Sequence, residues 1–448
     1  MHNLLDIASK RGLKEVEAYY LDSIRETIKF ENNQLKTVKK SQNSGVAIRT
    51  VVDGKMGFTT STNLDDIDKV LENAETVAKY SGSKEFCFAE KSEYVSMNTV
   101  NEKIWDIPKE QVIEEGYKAI EMIKKYDEEV LGQIDFVREK QNIKIENTNG
   151  VNSFYEKDTL SVSVAGFLTQ GTSFIQSGAV KNSVSEKYDI ASLTEETIEK
   201  IKILRQDAEF EPGKKTVIFT PKFLSDSLIT LQQGINGLMV AKGISPLCGK
   251  IDEKIFDERI TLIDDGTMAG GYASMPFDDE GTPAQRTMLI ENGILKNYIH
   301  SLKTAEKLGL KPTGNGLRQS GLMSSRKVDA TPIPDITNWI IQPGSAKFEE
   351  MIADIKDGII VDYLMGIFMN NLLNGDFSGN IGEGYVIKNG KIVGRLKDAA
   401  LNANIYDIFN KNLVDLSSEI YDIALFGFVG THKMPYAMFK DISVAAKK

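Results

Sequence analysis

Histidine and cysteine are scarce in this chain: its 448 residues include three histidines (His2, His300 and His432) and two cysteines (Cys87 and Cys248). Two cysteines cannot make a disulfide framework and fit a reducing compartment. Zinc ligands are mostly His and Cys, so little material is left for a zinc centre. No Ser-His-Asp or Cys-His arrangement can be assembled from these residues. Basic clusters are missing as well. Lys39-Lys40 and Lys214-Lys215 are isolated pairs in a chain of net charge −10, which argues against broad nucleic-acid binding. No uncharged apolar run approaches the roughly 20 residues that cross a bilayer. The opening Met1-His2-Asn3-Leu4-Leu5-Asp6 lacks the basic-then-apolar pattern of a secretory signal. These absences predict a cytoplasmic protein with neither nucleic acid nor membrane as partner. Its hydrophobic content of 41% and charged content of 26% are ordinary for a globular chain with two or three cores.

The order of elements predicts an α+β fold: helix-strand-helix N-terminal units followed by a larger β-rich C-terminal domain. The first unit, residues 1–90, opens with a short helix at 4–11 and strands at 16–21 and 26–31, with Asn32-Asn33 as a turn. Val46 to Val52 runs into Asp53-Gly54, a hairpin signal, and returns from Lys55. A helix over 64–81, capped by Asn63, follows with Ile67, Val70, Leu71, Ala74 and Ala78 on one face. A polar connector leads to a second unit, 108–206, with helices at 109–126 and 193–205 around alternating strands. The third, 214–448, carries Asn-Gly hairpins at Asn292-Gly293 and Asn389-Gly390.

Two stretches of this third unit are candidates for chemistry. Pro221 to Lys242 reads as one helix with an apolar face of Leu224, Leu228, Leu231, Ile235, Leu238 and Met239. Its polar positions include Gln232, Gln233 and Asn236. Neutral amides are poor zinc ligands, so the spacing favours a packed helix lining a cleft. Downstream, an acidic block supplies Asp264, Asp265, Asp278, Asp279 and Glu280, a candidate acidic cleft for a hard cation or an amine. Asp-Gly and Glu-Gly pairs also build turns whose carboxylates bond local amides, and the residue types favour that scaffold role. His300 reads as a hydrogen-bonded structural residue, and His432 as an exposed loop residue.

These blocks resemble the TldD/PmbA family over nearly the whole chain. The matching stretches begin with Gly45-Val46-Ala47-Ile48-Arg49 and Asp53-Gly54-Lys55-Met56-Gly57-Phe58. Asp264-Asp265-Gly266-Thr267, Phe277-Asp278-Asp279-Glu280-Gly281-Thr282-Pro283 and Leu289-Ile290-Glu291-Asn292-Gly293 follow. Thr313-Gly314-Asn315-Gly316 and Gly375-Asp376-Phe377-Ser378 complete the series. TldD-type members of the family carry a His-Glu-x-x-x-His zinc motif on the helix before the acidic block, with a third ligand near the C-terminus. Laid on this sequence the motif positions are Leu231, Gln232 and Asn236, and the third ligand falls near Thr431 or His432. The resemblance therefore implies the PmbA (TldE) branch: a chain without its own zinc, paired with a TldD-type subunit or with itself, around a chamber. The zinc chemistry that cleaves small unfolded peptides, microcin precursors and an antitoxin among them, is then expected in the TldD-type partner.

Two other readings compete. One is a self-sufficient metallopeptidase that draws ligands from His300, His432 and the acidic block. The other is a homodimeric peptide-binding protein with no hydrolytic partner.

Overall fold

The computed structural model describes residues 4–63, 65–171, 173–318, 326–424 and 430–446. Its first half is built on β1 (Val16–Glu31), β2 (Gln34–Val52), β3 (Lys55–Ser61), β4 (Leu131–Asn147), β5 (Asn152–Gln170) and β6 (Ser173–Ser183). They form one antiparallel sheet in the order β3-β2-β1-β4-β5-β6, joining strands of the 1–90 and 108–206 segments through the β1–β4 pair. The strands predicted at 16–21 and 26–31 are a single ladder, because β2 and β4 on either side supply partners for Asp22-Ser23-Ile24-Arg25 between them. The predicted turns sit at Asn32 and Asn33 and at Asp53-Gly54, all at positive φ, the backbone that tight hairpins demand. Asn292-Gly293 and Asn389-Gly390 repeat the device in the second half.

Helices α1 (Leu4–Lys10) and α2 (Ile67–Tyr80) belong to the first segment, and α3 (Lys103–Asp106), α4 (Lys109–Tyr126) and α5 (Ile190–Leu204) to the second. α2 starts later than its sequence pattern predicts. Its cap is Asp66, whose carboxylate accepts the Lys69 N–H, while Asn63 instead accepts from Asp65. The predicted first helical residue, Leu64, lies outside the described residues, as does His2. α4 and α5 bury Val112, Ile120, Ile123, Ile198 and Ile201 in a core shared with Ile134, Phe136 and Val164 of the sheet. Ile218, Ile360 and Ile387 of the second half enter that same core.

Among the described residues the second half has two large sheets, with a small two-stranded one that pairs Gly316–Leu317 with Ile333–Pro334. Strands Asp357–Met365, Gly213–Phe219, Ala437–Ala446, Ala399–Asn404 and Asp376–Lys388 pair in succession, and the last pairs back onto the first, closing a ring. The other large sheet places Leu262–Asp265 between Arg286–Glu291 and Trp339–Ile341, with His432–Met434 beyond. Helices α6 (Pro221–Ile235) and α7 (Gly237–Ala241) follow the ring strand Gly213–Phe219 in the chain. Among the described residues no helix is long and apolar enough to cross a membrane.

Candidate functional site

α6 starts where Thr220 caps it by accepting the Phe223 N–H and Pro221 fills the first turn, where a missing N–H does no harm. Most of the helix is buried, and Lys222, Asp226 and Gln233 are the partly exposed exceptions. The single helix expected over 221–242 is two helices. Asn236 adopts an extended backbone, and its side chain caps α7 by accepting the Leu238 N–H. Gly237 lets His300 pack against the start of α7: a Cβ there would come within 2.4 Å of His300 Nδ1.

Leu231 is 1% exposed in the main core of the second half. Gln232 and Asn236 face residues 334–335: Gln232 Nε2 donates to Asp335 Oδ1 at 2.7 Å and Asn236 Nδ2 to the Pro334 carbonyl at 2.8 Å. Asp335, which sequence reasoning did not single out, leads to the acidic block through Asn315. The Asn315 amide donates both to the Asp335 carbonyl, at 2.9 Å, and to Asp264 Oδ2, at 2.8 Å. Asp264 also accepts the Thr337 N–H and hydroxyl. Burial pushes both carboxyls up, Asp264 to about 6 against its hydrogen bonds and Asp335 to about 6 with Asp264 nearby. Only the Pro-Asp step at 334–335 marks Asp335 in the sequence.

Within the rest of the acidic block, Glu280 reaches the N-terminal sheet and the others bond within the second half. Asp265 accepts the Thr267 N–H and hydroxyl in a local turn. Asp278 takes backbone N–H groups from Glu280, Thr282 and Gly316. Asp279 accepts the Arg318 N–H at 2.7 Å and pairs with Arg326 at 3.0 Å. Glu280 accepts the Leu302 N–H through one oxygen and Arg49 of β2 through the other. Asp264, Asp278, Asp279 and Glu280 are all buried, so these carboxylates form a bonded junction rather than an open cleft. Gly316 belongs to it: a Cβ there would sit 2.3 Å from Glu280 Oε2.

His300 is buried, its Nδ1 3.3 Å from the Thr304 hydroxyl. His432 corrects the reading of an exposed loop residue. It lies in the strand His432–Met434, 3% exposed, stacked on Trp339, with Nδ1 2.6 Å from Ser225 Oγ of α6. The loop-like neighbours Gly430, Lys433 and Pro435 hid this in the sequence. Burial lowers both imidazoles to about 4, so both are neutral at physiological pH. Among the described residues the Nε2 of each has no partner, and no group of three or more His, Cys, Asp or Glu is arranged to hold a metal.

Two family descriptions match this architecture. The PmbA/TldA metallopeptidase C-terminal domain covers residues 212–446, and PmbA/TldA metallopeptidase domain 1 covers residues 16–78. The chain belongs to the TldD/PmbA family. A metalloprotease of Methanocaldococcus jannaschii is 28% identical to it over 426 residues, 90% of this chain and 89% of that protein. An uncharacterized protein of the same organism is 27% identical over 418 residues, 92% and 93% of the two chains. The crystal structure of TldE from Thermococcus kodakarensis has the same fold, with a TM-score of 0.87 at 21% identity over 99% of this chain and 100% of that one.

Zinc is the metal that metalloprotease relatives imply, and the donor set at the TldD/PmbA motif positions does not fit it. Leu231 has no donor atom. The amides of Gln232 and Asn236 are neutral and already donate to Asp335 and Pro334. His432 could offer one buried nitrogen, which alone is not a site.

Proposed function

We propose that this chain is a PmbA-type subunit of a TldD/PmbA metallopeptidase acting on small unfolded peptides, itself non-catalytic and paired with a zinc-bearing TldD-type chain. One observation carries the reading: the three helix positions that hold the motif in TldD-type chains are occupied here by a core leucine and two amides bonded to 334–335. The metalloprotease names of the relatives support the reaction class. In this role the second half supplies chamber wall and the partner supplies zinc chemistry, in a cytoplasmic dimer.

The test is metal content per chain, measured on protein purified without chelator or a histidine tag, followed by peptidase assay alone and with a TldD-type subunit. Zinc near zero, with hydrolysis only in the mixture, is expected. Stoichiometric zinc together with hydrolysis by the chain alone would overturn the proposal and favour a self-sufficient enzyme.

A further inference from the structure

Asp226 stands six residues before Gln232 on α6, so it projects roughly 120° around the helix, away from the motif positions. It borders a cavity of about 300 Å³ between β5–β6 and the second half of the molecule. Val164, Phe167, Ala179 and Ile367 give the cavity an apolar wall, and Lys222, Asp226 and Glu383 give it charge.

Most of that charge is already matched. Lys222 Nζ pairs with Asp362 at 3.0 Å. Glu383 accepts from the Ser177 hydroxyl and from the Tyr385 hydroxyl at 2.7 Å. Lys200, behind β6, pairs with Glu196 and donates to the Gly178 carbonyl. Asp226 is the exception: among the described residues it has no hydrogen bond and no ion pair. Both nearby ammonium groups are taken, Lys222 by Asp362 and Lys200 by Glu196, and Glu383 is held by two hydroxyls, so Asp226 is left without a cation of its own.

We propose that this cavity binds a small organic cation, a primary ammonium on an apolar body, with the ammonium on Asp226 and the body against Phe167, Val164 and Ile367. A carboxylate without a partner in a partly dry pocket gains most from a ligand that brings both the missing charge and hydrogen-bond donors. An anion would have to displace Asp362 from Lys222. The inference does not depend on whether the chain is a non-catalytic subunit.

Proton linkage gives the site a signature. Burial raises the Asp226 carboxyl to about 7, against the pull of Lys222 and with the push of Asp362. The cation binds the ionised form, so affinity should rise with pH through that value. An alkylammonium, with a pKa near that of lysine at about 10, stays charged throughout.

The experiment is calorimetric titration of the full chain with hexylamine, hexanol and hexanoate at pH 6 and pH 8. Hexylamine is expected to bind one per chain, at least tenfold more tightly than hexanol at pH 8, and about tenfold more tightly at pH 8 than at pH 6. Asp226→Asn should erase both differences while leaving Tm at or above that of the parent. Equal binding of hexylamine and hexanol, a preference for hexanoate, or a flat pH profile would overturn the proposal. The wild-type comparisons alone decide it if the variant does not fold.

Discussion

Arg49 and Glu280, 231 positions apart in the chain, meet in the interior: Arg49 Nη1 donates to Glu280 Oε1 at 3.1 Å, both side chains being almost fully buried. The same guanidinium places Nε and Nη2 on Glu17 of β1, at 2.8 and 2.6 Å, and packs over Phe86 and Phe88. One cation from β2 thus ties the N-terminal sheet to the acidic block. Arg318, also buried, approaches Glu17 at 3.7 Å and stacks on Tyr19.

Removing that cation would leave two buried carboxylates short of a partner. Breaking a buried pair by deleting one member typically costs about 3–5 kcal/mol, far more than a surface ion pair is worth. Arg49→Ala should therefore lower Tm sharply in differential scanning calorimetry. Arg25→Ala, which removes a more exposed partner 3.5 Å from Glu139, should change it little. Similar Tm values for the two variants would show that the Glu17–Arg49–Glu280 junction contributes no more than a surface contact.

The contrast between these arginines also marks what was legible in the sequence. Asn32-Asn33, Asp53-Gly54, Asn292-Gly293 and Asn389-Gly390 declared their turns, because positive φ is a local demand that few residues meet. α4 and α5 were visible because an apolar stripe at helical spacing must face a core. Arg49 and Glu280 gave no sign of each other, since nothing local encodes a pair separated by so much chain. His432 looked exposed for the same reason. Its burial is created by Ser225 and Trp339, which come from elsewhere in the chain. Asn236 looked helical by spacing, yet its side chain satisfies the Leu238 N–H and starts a second helix, a competition that periodicity does not register.

Leu231 tests whether the motif positions can be restored. It is packed in the core with Leu228 and Ile235, so Leu231→His deletes apolar contacts and inserts a polar ring. Histidine keeps much of the volume but has another shape and buries a polar group without a partner, which alone costs about 1–3 kcal/mol. The expected result is a lower Tm with zinc per chain unchanged from the parent by elemental analysis. A gain of one zinc per chain without loss of Tm would mean that position 231 can open toward a ligand set.

Asp335, held by Gln232, makes stability depend on pH in a predictable direction. Its carboxyl titrates at about 6 in the folded protein, against about 3.9 in an unfolded chain. Between those values the native state retains a proton that the unfolded state has lost, so this group lowers stability as pH rises from about 4 to about 6, with the full penalty present above. Asp335→Asn cannot ionise, and its amide oxygen can still accept from Gln232 Nε2 and the Ile336 N–H, the two donors that now reach Asp335 Oδ1. The difference in Tm, variant minus parent, should therefore become more positive between pH 4.5 and pH 7.5 in paired thermal scans. Asp264 works in the same direction: relieved of the charge on Asp335, it too ionises more readily in the variant. A difference that stays constant with pH, or becomes more negative, would show that Asp335 is ionised in the native protein at no penalty and that Gln232 alone suffices to hold its charge.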